Sequence, residues 1–307
     1  MKKALITGGN GNLGKLVADR LRQQGIFVIK FDLPGTETPA QEGELIVLGD
    51  VRDHSLLNQT IAEHRPDTIF HLASLLSGSS EANIEAAWEI NATASFHLLQ
   101  MAMAFQVERF FFASTIATYG EVDEDPLTQD YPQWPTNFYG ATKVAVERLG
   151  VYYKLKHGLD FRCLRYPLVV SPFAPKTAVT AFPSHAFLAA VNGEPFTFPV
   201  SRNIGISTIF LDDVVASIVD YTQADRSRLT QHAYGLHAYY LSVEMVIDEI
   251  VKRFPHFKYD FKPVELAESL IQKWPDTIDD QVATKDWDWQ PAFDFEKSAT
   301  AMFDLIS

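Results

Sequence analysis

The chain has 307 residues, 47% of them hydrophobic and 21% charged, enough for a large α/β domain with a smaller lobe and a sizeable buried core. Its net charge of −13, with basic residues scattered rather than striped, argues against nucleic acid or an anionic membrane as a partner. The single cysteine, Cys163, permits no internal disulfide, the start MKKALITGG is too short in apolar residues for a signal peptide, and no run reaches the ~18 apolar residues of a membrane span, so a cytoplasmic protein is expected.

Residues 3–7 form a short apolar run closed by glycines and predict a buried strand. Leu13, Leu16, Val17 and Leu21 recur at helical spacing, so 13–24 predicts a helix that Gly25 ends. Strands are predicted at 26–31, 45–48, 68–72, 109–113 and 161–166. Between them, 55–64, one long stretch over 83–105, and 139–157 read as helices. This alternation predicts a doubly wound parallel sheet of the Rossmann type with helices on both faces. Residues 172–199 show weak periodicity, while 244–254 and 263–273 read as short surface helices. The expected organisation is a first domain over 1–169, to which 206–234 returns, and a smaller C-terminal lobe from 170–205 and 235–307.

TGGNGNLG lies between the first strand and the first helix, with Gly8, Gly11 and Gly14 spaced three apart. The first glycine permits a tight turn, the second a close approach to a pyrophosphate, and the third close helix packing. The helix start, at Asn12 and Leu13, offers free N–H groups to the anion. Asp32 ends the second strand, where a carboxylate accepts from the adenosine ribose hydroxyls and repels a 2′-phosphate. No arginine follows it, so NAD is expected over NADP. No metal is expected.

FYGATK places Tyr139 and Lys143 four apart, on one helix face. A neighbouring ammonium lowers a tyrosine's pKa, and such a tyrosine can take a hydroxyl proton as hydride leaves. By itself Y-x-x-x-K is common surface decoration; behind a dinucleotide signature at this distance it reads as catalytic.

Together these motifs resemble the extended short-chain dehydrogenase/reductases, within the NAD-dependent epimerase/dehydratase family. The resemblance implies that Asp50 and Val51 in LGDVRD contact adenine, and that Leu72, Ala73 and Ser74 in HLAS lie beside the cofactor. It also puts Asn91 and Tyr166 in the cofactor set, Asn91 supporting the active-site helix. ASTIATYG resembles the family's S-[ST]-x-x-x-[YF]-G segment, which makes Thr115 the catalytic hydroxyl and Ser114 a structural neighbour.

Several stretches, HLASLLSGSSEAN, YGATKVAVER, KWPDTIDD and KDWDWQPAFDFEK among them, resemble the epimerase-like short-chain L-threonine 3-dehydrogenases over residues 1–303. That resemblance implies oxidation of L-threonine to 2-amino-3-ketobutyrate, hydride leaving Cβ, with Thr115 orienting the oxygen and Tyr139 taking its proton. It places Ser77, Thr180 and Trp274 in the substrate pocket and implies a homodimer paired through the helices at 83–105 and 139–157. The chain departs from the family in LRYPLVVSPFAPKTAVTAFPSHA. Leu168 replaces a glycine, a triple glycine is missing, Val179-Thr180-Ala181 stands for T-T-D, and Gly205 stands where the family carries an arginine. Arg165 and Arg202 are candidates to hold a carboxylate, and His185 to supply a polar contact. The alternatives are a sugar-acid or other hydroxy-acid dehydrogenase, and a nucleotide-sugar epimerase or dehydratase.

Overall fold

The computed structural model describes residues 1–36, 39–175, 178 and 180–306; Val179 lies outside them. Its elements in chain order are β1 (Lys3–Thr7), α1 (Asn12–Gln23), β2 (Phe27–Asp32), β3 (Glu44–Leu48), α2 (His54–His64), β4 (Thr68–His71), α3 (Ser77–Ala82), α4 (Ile84–Ala87), a π-helical turn (Trp88–Thr93), α5 (Ala94–Ala104), β5 (Arg109–Thr115), α6 (Phe138–His157) and β6 (Asp160–Tyr166). There follow β7 (Leu168–Val170), α7 (Phe182–Val191), β8 (Phe196–Phe198), β9 (Gly205–Phe210), α8 (Leu211–Gln223), β10 (Tyr234–Gly235), β11 (Tyr239–Ser242), α9 (Val243–Arg253), β12 (Tyr259–Phe261), α10 (Glu265–Ile271), α11 (Gln281–Trp287) and α12 (Phe295–Ile306).

Seven parallel strands form the main sheet in the order β3-β2-β1-β4-β5-β6-β10, the doubly wound arrangement that the alternation predicted. Because successive strand residues point to opposite faces, neighbours divide between two cores. Leu5, Ile69, Phe110 and Phe112 pack against α2, α5 and α6 through Leu57, Ile61, Leu98 and Val146. Ile6, Phe70 and Phe111 pack against α1, α8 and α11 through Val17, Leu21, Val214, Ile218 and Trp287.

β9 pairs with β7 and β11 in a separate three-stranded sheet, while α8, which follows it directly, lies on α1. β8 and β12 form a parallel pair. A third core, including Phe182, Phe187, Phe198, Val246, Ile250 and Phe303, joins α7, α9 and α12 in the smaller lobe. Two differences from the expected elements have physical causes. The periodicity of 172–199 is weak because α7 is buried on nearly all sides, from Phe182 to Ala190, and so shows no polar stripe. The single helix expected over 83–105 starts where expected, with the Asn83 side chain capping α4, but its middle is a π turn that carries Asn91. Among the described residues, no helix is long and apolar enough to cross a membrane.

Candidate active site

The strands of the main sheet end at a cleft of about 560 Å³ between sheet and lobe. Its two ends are built differently.

At one end the glycine loop turns into α1. Gly8 has φ +71°, and its N–H donates to the Phe31 carbonyl at 2.9 Å. A Cβ on Gly14 would stand 2.1 Å from the Gly8 carbonyl oxygen, and one on Gly8 2.9 Å from the Ala73 nitrogen. The loop is therefore packed against both helix and neighbouring strand with no room for side chains. No side chain caps the start of α1, whose free N–H groups face the cleft with their partial positive charge. Asp32 accepts from the Asn10 N–H at 2.7 Å and the Leu33 N–H at 2.8 Å, and its partly exposed carboxylate lines the same end. Asp50 lies beside it, its carboxyl held below the usual range by hydrogen bonds from Arg52. A cradle with no Cβ, an uncapped helix start and a carboxylate beside it fit a dinucleotide.

At the other end Thr115, Tyr139 and Lys143 line the wall. Asn137 starts α6, accepting from the Gly140 N–H at 2.7 Å, and Gly158 ends it at φ +78°. This fixes the helical register that puts Tyr139 and Lys143 on one face. Lys143 is nearly buried; Nζ donates to the Ala113 carbonyl at 2.9 Å and sits 4.6 Å from the Phe112 ring centre and 5.5 Å from that of Tyr139. Burial lowers its pKa from 10.5 to about 8. Burial also pushes the Tyr139 phenol above its ordinary value, so nearby positive charge is what must bring it into range for proton transfer. Among the described residues, no protein group hydrogen-bonds that hydroxyl, which is half-buried in the cleft. Thr115 Oγ1 accepts from the Ala117 N–H at 3.2 Å, which leaves its own proton to donate.

Gly8, Gly11, Asn12, Leu13, Gly14, Asp32, Asp50, Val51, Leu72, Ala73, Ser74, Ser77, Thr115, Tyr139, Lys143, Tyr166, Thr180 and Trp274 all line this one cleft. Asn91, expected among the cofactor contacts, does not: it is buried behind the wall. Its Oδ1 accepts from the Leu75 N–H at 2.8 Å and from Ser74 Oγ at 3.1 Å, while Nδ2 donates to the Leu75 carbonyl and to Thr142 Oγ1. It therefore pins the 74–75 segment to α6, in keeping with the supporting role also read for it. The Tyr166 hydroxyl is turned away from the cleft, toward Ser217 Oγ at 2.9 Å. Ser114 lines the cleft as well, but its hydroxyl is taken up by Glu147, to which it donates at 2.5 Å.

The candidates for holding a carboxylate are elsewhere. Arg165 is buried against Glu147 at 2.7 Å, and Arg202 pairs with Glu244 on the surface. His185 is outside the cleft lining, on α7. Asp32, Asp50 and Lys143 are the charged side chains among the described residues that line the cleft. Sequence reading missed the apolar wall of Leu75, Leu76, Ile116, Phe173, Pro175 and Ala178. It also missed a latch across the cleft, Asn12 Nδ2 donating to the Phe173 carbonyl at 2.8 Å. Neither has a motif, because both depend on how the lobe folds over the sheet.

The protein-family model described as NAD dependent epimerase/dehydratase family matches residues 4–236. An uncharacterised epimerase/dehydratase of Staphylococcus saprophyticus is 28% identical over 313 residues, covering 100% of this chain and 97% of its own length. The crystal structure of L-threonine dehydrogenase from Clostridium difficile superposes with TM-score 0.93 at 29% identity, over 100% of this chain and 98% of that one. That of L-threonine dehydrogenase from Phytophthora infestans gives 0.90 at 31% identity, over 99% of each chain. With the main-sheet order, the glycine cradle and the Tyr139–Lys143 helix already in place, these likenesses make the chain a member of the NAD-dependent epimerase/dehydratase family.

Proposed function

We propose that this chain is an NAD-dependent dehydrogenase that oxidises a secondary hydroxyl of a small polar substrate, with L-threonine, converted to 2-amino-3-ketobutyrate, as the first substrate to assign. The observation that carries the reading is that one cleft joins a dinucleotide cradle to Thr115, Tyr139 and Lys143. The choice of threonine is supported by whole-chain likeness to L-threonine dehydrogenases at TM-scores of 0.93 and 0.90. NAD rather than NADP is supported by Asp32, whose carboxylate would repel a 2′-phosphate.

Gly8, Gly11, Gly14 and the start of α1 would hold the pyrophosphate, and Asp32 the adenosine ribose. When bound, NAD supplies the hydride acceptor. Thr115 donates to the reacting oxygen and fixes its orientation. Tyr139 takes the hydroxyl proton, and the Lys143 ammonium lowers the cost of its phenolate. The apolar wall formed by Ile116, Leu168, Ala178, Ala181 and Trp274 keeps water from the reacting carbon.

A second reading, a sugar acid or other hydroxy acid lacking the amino group, is favoured by one observation. Beside Thr115, Tyr139 and Lys143, the described lining at this end offers the hydroxyls of Ser77 and Thr180 and no carboxylate for an ammonium. A buried unpaired charge is costly, so an amino acid needs such a partner. NADH formation from NAD with L-threonine, L-serine, 3-hydroxybutyrate and aldonic acids separates the two. Turnover of L-threonine supports the first. Silence on threonine with turnover of another member of the panel supports the second, and silence throughout sinks both.

A further inference from the structure

Behind the catalytic wall lies a buried polar cluster that the reaction as drawn does not use. Glu147 stands one helical turn beyond Lys143 on α6 and is 2% exposed. Its carboxylate accepts from Ser114 Oγ at 2.5 Å, from Arg165 Nη2 at 2.7 Å and Nε at 3.1 Å, and from Gln133 Nε2 at 3.0 Å. Arg165 donates onward to the Tyr119 hydroxyl at 2.8 Å and to the Gln129 carbonyl at 3.3 Å. One ion pair thus ties together β5, β6, α6 and the loop that leads into α6.

Stability alone is a poor reason for such a pair, since apolar replacements of the same volume are often neutral or better. Its position is more informative. Strand alternation turns Ser114 toward the cluster and Thr115 toward the cleft. Lys143 Nζ grips the Ala113 carbonyl, Glu147 grips the Ser114 hydroxyl, and the next residue is the one that presents its hydroxyl to the reacting oxygen. Ser114 also pairs in register with Arg165, so the clamp closes across neighbouring strands.

We propose that Glu147, locked by Arg165, is a positioning residue for this dehydrogenase reaction: it fixes the Ser114–Thr115 step and keeps the Lys143 ammonium charged. The groups that face Lys143 are Tyr139 and Glu147 on its own helix, His71 on β4 and Cys163 on β6, with Arg165 behind Glu147. His71, fully enclosed, has its pKa lowered to about 3 by burial and by Lys143, and is neutral. Burial pushes the Cys163 thiol and the Tyr119 phenol up, so neither carries charge. Glu147 is then the anion that opposes the loss of the Lys143 proton.

The inference rests on the dehydrogenase reading, so one readout needs no substrate. Lysines labelled with 13C at Cε report the Lys143 pKa by NMR, Lys143→Met identifying its resonance. The pH profile of kcat is taken beside it with whichever substrate the wild type turns over. Glu147→Gln keeps an acceptor for Ser114 and removes the charge. It is expected to lower the Lys143 pKa from about 8 by roughly one unit and to move the alkaline limb of kcat down with it. Ser114→Ala keeps the charge and releases the clamp; kcat is expected to fall about tenfold with the limb unmoved. If Glu147→Gln does not fold, Glu147→Gln/Arg165→Met leaves no unpaired buried guanidinium, and it is expected to move Lys143 in the same direction. Variants with wild-type Lys143 titration and a wild-type pH profile, altered only in melting temperature, would make Glu147 merely structural and overturn the inference. A wild type silent on every substrate would sink the dehydrogenase reading, and the NMR titration would still decide whether Glu147 holds the charge of Lys143.

Discussion

Replacing Gly14 by alanine tests the cofactor cradle with one methyl group. The added Cβ would lie 2.1 Å from the Gly8 carbonyl oxygen and 2.8 Å from the Gly9 Cα, both backbone atoms, whereas real Cβ contacts essentially never fall below 3.0 Å. No rotamer change relieves this, so α1 and the loop must part by roughly 1 Å, in a region packed as densely as a crystal. Overpacking of this kind costs about 1–3 kcal/mol. In a chain of this size each kcal/mol is about 1.5 °C in Tm, so the variant should melt roughly 2–5 °C below wild type. The displaced loop is also the surface expected to hold the pyrophosphate. The second effect is therefore on ligand stabilisation: wild type at a hundredfold excess over Kd gains about 2.7 kcal/mol from NAD, and Gly14→Ala should gain much less. Thermal melts with and without NAD, supported by calorimetric titration, measure both effects. Gly25→Ala is the control: it has a positive φ, +75°, which Gly14 lacks, and no atom within 4 Å of its Cβ. It should cost about 1–2 kcal/mol from backbone strain and leave NAD stabilisation intact. Gly14→Ala with wild-type melting and wild-type NAD stabilisation would refute the close approach and the cradle drawn from it.

Asp32→Ala removes the carboxylate expected to hold the ribose; NAD affinity should fall at least tenfold and the preference over NADP should shrink, as fluorescence titration with NADH and NADPH would show. Asn91→Ala leaves the Leu75 N–H without its partner, while the Leu75 carbonyl keeps Ser80 Oγ; a cost of about 1–3 kcal/mol in denaturant unfolding is expected, together with a lower kcat/KM. Lys143→Met should abolish turnover and raise stability at neutral pH. The folded-state pKa of Lys143 is about 8 against 10.5 for the free side chain, so below about pH 8 both states are charged and the burial cost is present in full. Between about 8 and 10.5 the unfolded chain holds the proton that the folded chain has lost, so the contribution of Lys143 to stability rises with pH there. Unfolding curves at pH 7 and pH 10 should therefore differ less in Lys143→Met than in wild type.

What could be read from the sequence was what repeats or is local. The strand–helix alternation sufficed for the doubly wound sheet because each strand is a short apolar run and each crossover helix shows its stripe or its cap. Gly14 and Asp32 were legible as cleft residues because a dinucleotide cradle would demand those residue types at fixed distances from the first strand. Tyr139 and Lys143 were legible as a helical pair whose meaning came from the motif upstream. Asn91 was legible as a position and only half as a role, since a π turn that swings a side chain onto the 74–75 segment leaves no periodic trace. Arg165 shows the opposite failure. An arginine ending a strand beside a cleft suggests a carboxylate ligand, but the carboxylate it meets is Glu147, a residue of its own chain brought close by the packing of α6 on β6. The lobe was the hardest to read, because α7 is buried almost all round and its wall of Ala178, Ala181 and Trp274 assembles from segments far apart in sequence.

The central claim is that Tyr139 takes the proton of a substrate hydroxyl while NAD takes the hydride in this cleft. Its most direct test is the initial rate of NADH formation by wild type and Tyr139→Phe on the substrate that wild type turns over. The phenylalanine ring keeps the packing and loses only the hydroxyl, so NAD binding and melting should be preserved. The account predicts that kcat falls about 10²–10⁴-fold in the variant. A Tyr139→Phe protein that binds NAD and turns over at the wild-type rate would contradict it.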